Sequence, residues 1–145
     1  MNKLRKIAQT RSRVRILPPV PMQELVQFSS QYDIGLYLLE PTTFNSRYAL
    51  PNKFFEFIQA RLAVAIGPSP EMARIVKEYE CGVVADDFLP KTLAGRLMEL
   101  DAKKIDYYKN QSHKIAKIMS AEENEEKVLR LVEQVLRQLP KSNPH

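Results

Sequence analysis

Hydrophobic positions along this 145-residue chain fall into short apolar runs separated by stretches with helical spacing. The runs at residues 14–17 (VRIL), 33–39 (DIGLYLL), 62–66 (LAVAI) and 82–85 (GVVA) do not alternate with polar residues. That pattern predicts short strands buried on both faces. Between and after them apolar residues recur every three to four positions, which predicts helices over about 21–31, 51–61, 69–80, 90–100, 103–118 and 121–138. Pro21, Pro51, Pro70 and Pro90 each stand where a first helical residue is expected, a position at which the missing N–H costs nothing. Ser69 is placed to cap the helix after it, and Ser120 with Glu123 has the spacing of a capping box. Strand, turn, helix and strand in this rhythm imply an α/β fold with parallel pairing through right-handed crossovers.

The last helix carries an apolar stripe of Val128, Leu131, Val132, Val135, Leu136 and Leu139, with Glu122, Glu123, Glu126, Lys127, Arg130 and Arg137 on its other face. Such a stripe covers a sheet or a neighbouring helix, or docks a second domain. Residues 140–145 are polar and read as a disordered tail. Composition narrows the class without naming a function. Hydrophobic residues make up 44% and charged residues 27%, which excludes wholesale disorder. No apolar run is long enough to cross a bilayer, and the N-terminus has no apolar signal region. The single cysteine, Cys81, has no intramolecular partner, as suits a reducing, cytoplasmic setting. The net charge of +5 is concentrated at one end: Lys3, Arg5, Lys6, Arg11, Arg13 and Arg15 precede the first acid, Glu24.

The stretch 40–67 (EPTTFNSRYALPNKFFEFIQARLAVAIG) holds the candidate chemistry. A strand ends near Leu39, a polar loop of about ten residues follows, and a helix opens at Pro51 and feeds the next strand. Ligands of open parallel sheets bind beyond the carboxyl ends of the strands, where such loops gather. The N–H groups at the start of a helix attract anions, and Lys53 adds positive charge there. Glu56 lies near the same N-terminus, where a carboxylate can accept two hydrogen bonds from a vicinal diol such as a ribose. Taken alone, Glu56 equally fits a glutamate favoured by the helix dipole.

The run DIGLYLLEPTTFNSRYALPNKFFEFIQARLAVAIGPSPEMARIVKEYECGVVADD resembles the C-terminal half of bacterial group 1 glycosyltransferases of the GT-B fold. The similarity begins near Val14, continues at least to Leu100, and returns in the closing helix SAEENEEKVLRLVEQVL. It implies a partial Rossmann-like C-terminal domain of about four short parallel strands with flanking and C-terminal helices. The implied chemistry is transfer of a sugar from a nucleotide-sugar donor, usually with retention, in polysaccharide or glycoconjugate biosynthesis. By position, Glu56 matches the glutamate that holds the donor ribose, and Tyr48 stands where the family has the other glutamate of its E-x7-E motif. The loop Asn45–Asn52, which includes Ser46, with Lys53 at the helix start, matches the segment whose backbone amides approach the donor phosphates, and Pro19–Pro21, after the first strand, lie where the family contacts the base. The donor is a substrate, so no cofactor is implied.

The family also has an acceptor-binding domain and two further strands that bring an Arg/Lys pair to the leaving diphosphate. Arg5, Lys6, Arg11 and Arg13 precede residues 14–17 and belong by position to the helix leading into them, so they do not replace that pair. The expectation is therefore a truncated or split donor-binding portion, inactive in isolation, with an N-terminal glycosyltransferase half as partner. The domain reading is a basic N-terminal helix or remnant at 1–13, a partial donor-nucleotide-binding domain at 14–118, a closing amphipathic helix at 119–139 and the tail. A non-catalytic α/β nucleotide-binding or protein-interaction module is the alternative. A receiver-like regulatory domain lacks its acidic cluster at the end of the first strand.

The remaining signals are smaller. His113 and His145 are the only histidines, and no metal-ligand spacing exists. Asp86 and Asp87 read as a solvated turn, His113 as a surface residue among lysines, and Cys81 as a small residue starting a strand. Phe54, Phe55 and Phe57 read mostly as core. The basic N-terminus fits a solvated helix remnant or a contact with the anionic inner membrane face. Without interleaved aromatics it does not read as a nucleic-acid arm.

Overall fold

The computed structural model describes residues 2–119 and 121–138. Helix α1 (Asn2–Gln9) is followed by an irregular stretch, a 3-10 turn at Met22–Glu24 and a short α2 (Leu25–Ser29). Then come β1 (Ile34–Tyr37), α3 (Phe44–Tyr48), α4 (Asn52–Gln59), β2 (Ala63–Ile66), α5 (Pro70–Glu78) and β3 (Gly82–Val84). Three helices close the described chain: α6 (Pro90–Met98), α7 (Ala102–Ala116) and α8 (Ala121–Gln138). The three strands form one parallel sheet in the order β1-β2-β3, with Leu36 opposite Ala65 and Ala65 opposite Val83. The α/β expectation is met.

The central strand explains the packing. All four residues of β2 are buried, as an unalternating apolar run requires. On one face Val64 and Ile66 meet Phe54 and Ile58 of α4, Met72, Ile75 and Val76 of α5, and Ile115 and Ala116 of α7. Each such side chain removed from water contributes about 1.5–3 kcal/mol. On the other face Ala65 leaves room for α6, whose Leu93 and Leu97 pack over it with Ile34, Leu38 and Val83. Helix α7 is also tied to the sheet by a buried polar contact: the Ser112 hydroxyl donates to the Leu62 carbonyl at 2.7 Å.

Helix α4 ends in a six-to-one turn, with Leu62 N–H donating to Phe57 O and Arg61 N–H to Ile58 O, both at 3.0 Å. The turn needs a left-handed residue, normally glycine, and Arg61 takes it at φ 63°. Its guanidinium compensates by donating to the Gln59 carbonyl at 2.6 Å and to His113 Nδ1 at 3.1 Å. Helix α5 closes similarly at Glu80, φ 51°.

Several expectations are corrected. Residues 14–17 form no strand, so the sheet has three strands among the described residues, not four. Val14, Ile16 and Leu17 are about half exposed, and β1 is left as an open edge. Pro18 and Pro19 follow at once, and neither can donate a ladder hydrogen bond. The helix expected over 21–31 is only the 3-10 turn plus α2, while the loop after β1 contains the unanticipated α3. Pro70 and Pro90 are first helical residues as expected, but Pro21 and Pro51 stand one position earlier, as caps. Ser69 caps α5 by position without a side-chain hydrogen bond. The described part of the α8 stripe is uncovered: Val128, Leu131, Val132 and Val135 are all exposed. The Ser120 cap and the tail at 140–145 lie outside the described residues. No described helix is long and apolar enough to cross a membrane.

Candidate functional site

The loop leaving β1 is fixed by a reciprocal cap at the start of α3. Ser46 N–H donates to Thr43 Oγ1 at 3.1 Å, and Thr43 N–H donates to Ser46 Oγ at 2.9 Å. Both hydroxyls are thereby committed to shaping the loop, so Ser46 has a structural role at the place where the sequence predicts a donor contact. One turn on, the Tyr48 ring lies 4.8 Å from that of Phe44, and both remain exposed. Together they form a small aromatic platform on the outside of the loop.

Pro51 then holds extended backbone and opens α4. Phe54 N–H turns back to the Pro51 carbonyl at 2.9 Å, and no side chain caps the N–H groups of Asn52 and Lys53. The α4 N-terminus is thus free to meet an anion, with the exposed Lys53 ammonium beside it. Glu56 follows within the next turn. The residue is partly buried, its carboxylate oxygens still reach solvent, and it has no hydrogen-bond or ion-pair partner among the described residues. An unpaired carboxylate at this position is free to accept hydrogen bonds from a ligand's donors.

The helix is held at this place by Phe54 and Ile58 in the core and by Phe57 over Gly35 of β1. A Cβ on Gly35 would sit 2.3 Å from Phe57 Cγ, so the glycine is what lets α4 approach the strand so closely. The phenylalanines therefore are core, as the sequence implies.

Asn52, Lys53 and Glu56 share the first two turns of α4, and Ser46 and Tyr48 lie on the short helix just before it. Pro21 is exposed at the cap of the 3-10 turn, and no hydrogen bond or ring contact among the described residues joins it to the others. It is linked only through α2, which packs on α4. No family model, no curated protein and no solved structure matches the chain.

Elsewhere the structure gathers side chains that the sequence reading did not single out. Beside the free edge of β3 a cleft of about 750 Å³ is lined by Lys103, Lys104, Tyr107 and Tyr108 of α7. Lys104 Nζ lies 5.1 and 5.0 Å from the two tyrosine ring centres. The Tyr107 hydroxyl donates to Glu80 at 2.5 Å, and that bond raises its pKa. The i, i+3, i+4 spacing of these residues along one helix was the available signal. A second cleft, of about 670 Å³, lies between α5 and α6 at the carboxyl end of β3, but its Arg96 is already paired with Asp86 at 2.9 Å. Among the described residues no three potential metal-ligating side chains cluster. Cys81 is fully buried, and burial pushes its thiol up to about 11.

Proposed function

We propose that the chain carries the donor-nucleotide site of a GT-B glycosyltransferase and binds the diphosphate and ribose of a nucleotide sugar. The observation that supports this most strongly is the unpartnered, half-buried Glu56 beside an uncapped helix N-terminus, at the carboxyl end of a parallel strand. In this reading the Asn52 and Lys53 N–H groups and the Lys53 ammonium meet the diphosphate, and Glu56 accepts from the two ribose hydroxyls. Tyr48 offers a phenol hydroxyl toward the sugar, and Thr43 and Ser46 hold the loop in shape. Two charge-assisted hydrogen bonds at about 1.5–3 kcal/mol each, with a dipole and lysine contribution of about 0.3–1 kcal/mol each, suffice for weak to micromolar binding.

No residue of the described chain is assigned a catalytic step. The expected activity of the chain alone is binding without transfer. Tyr48 in place of a glutamate and the open edge of β1 favour a second reading, a nucleotide-binding module without turnover. Incubation with a set of nucleotide sugars and simple acceptors separates the two from a complete enzyme: turnover by the chain alone contradicts both.

A further inference from the structure

The two ends of the chain carry complementary surfaces that nothing in the structure covers. At the N-terminal end α1 and residues 14–18 flank an open groove of about 600 Å³. Val14, Ile16 and Leu17 of its lining are 46–50% exposed, and Leu4 and Ile7 elsewhere on α1 are 68% and 48% exposed. Arg5 and Arg15 line the groove, Lys6, Arg11 and Arg13 are exposed on the same segment, and no acid precedes Glu24. At the other end, α8 exposes Val128, Leu129, Leu131, Val132 and Val135 at 49–62%. By sequence its first seven residues, AEENEEK, are strongly acidic. One surface is a basic apolar groove, and the other is a helix with an acidic start and an apolar stripe.

From this we infer that α8 of one chain docks in the N-terminal groove of a second copy, and that the exchange is reciprocal, giving a two-fold dimer. Within one chain the described residues of both surfaces stay exposed, and no intramolecular pairing among them competes. The area is sufficient. A half-exposed Val, Leu or Ile offers about 50 Å² for burial, so the ten residues named give about 500 Å² per docked end. Two ends give about 1,000 Å² of apolar surface, and with a polar rim the total reaches about 1,600 Å², the size of a specific interface. Reciprocal exchange also closes the assembly, so no filament is expected. A parallel α8–α8 pair would bring two acidic starts together, and an antiparallel one, which leaves the basic groove unused, would give a dimer indifferent to the groove arginines.

Sedimentation equilibrium and light scattering on the full chain at 50 and 200 µM test this. The expected mass is twice 16.8 kDa. Dimerisation should weaken at least about tenfold between 0.1 and 1 M salt, as screening shortens the reach of the charges. Val132→Glu, and separately Arg11→Glu with Arg13→Glu and Arg15→Glu, should each give monomers with unchanged circular dichroism. Mixed together, the two variants should regain a weaker dimer, because the sound α8 of one meets the sound groove of the other while the second docked end is lost. A wild-type monomer at 200 µM overturns the proposal, and so does a dimer indifferent to the arginine changes. A monomer that instead sediments with anionic phospholipid vesicles assigns the groove to a membrane surface and equally overturns it.

Discussion

Replacing Gly35 by alanine tests how α4, and with it Glu56, is held against the sheet. The added Cβ would lie 2.3 Å from Cγ and 2.6 Å from both Cδ atoms of Phe57, where carbon atoms ordinarily rest about 3.5–4.0 Å apart. Relief requires the ring, or α4 as a whole, to withdraw by about 1 Å. Overpacking of this kind costs about 1–3 kcal/mol, which in a chain of this size lowers Tm by about 3–10 °C. The assay is a double-mutant cycle by urea denaturation with Gly35→Ala, Phe57→Ala and both. Phe57→Ala alone loses packing but opens the space the new methyl needs, so the double variant should be more stable than the sum of the singles by about 1–2 kcal/mol. Additivity within about 0.5 kcal/mol would show that the two positions do not meet, and would refute the account of how α4 is seated.

Three further outcomes follow from other parts of the fold. Gly95 lies inside α6 with nothing within 4 Å of where a Cβ would be, so Gly95→Ala should stabilise the chain by about 0.5–1 kcal/mol in the same denaturation assay. Cys81 should resist iodoacetamide at pH 8 in the folded chain and react promptly in 6 M urea, since its thiol is buried and titrates only at about 11. Because that pKa is raised from an ordinary 9.0, its stabilising contribution is complete below pH 9 and is lost as pH rises toward 11. Unfolding curves should therefore fall off less steeply over that window in Cys81→Val than in the natural chain.

How much of this was legible in the sequence depends on how local the signal is. The run 62–66 announces β2 because burial on both faces leaves no place for a polar residue, and Pro70 and Pro90 mark true helix starts because their missing N–H falls where none is needed. The run 14–17 has the same composition as a strand but pairs with no neighbour among the described residues, although β1 is an open edge, and pairing is a property of the whole sheet rather than of four residues. Helix α3 was hidden because its cap is Thr43 with Ser46, where the readable form has a glutamate or glutamine at the third position. The left-handed Arg61 and Glu80 carried no glycine to betray their turns. For the candidate site, Asn52, Lys53 and Glu56 are adjacent in sequence and their grouping was readable. What was not readable is that the Ser46 side chain is tied into its cap, that Pro21 stands apart, and that Glu56 has no partner among the described residues.

The central claim is that the α4 N-terminus and Glu56 form a nucleotide-diphosphate site. Isothermal titration of the chain with UDP and with GDP, repeated on Glu56→Ala with its fold checked by circular dichroism, tests it most directly. The account predicts binding to at least one nucleotide and a weakening of about 10- to 100-fold in the variant, the equivalent of about 1.5–3 kcal/mol. No binding by the well-folded chain, or binding that Glu56→Ala leaves unchanged, would contradict it.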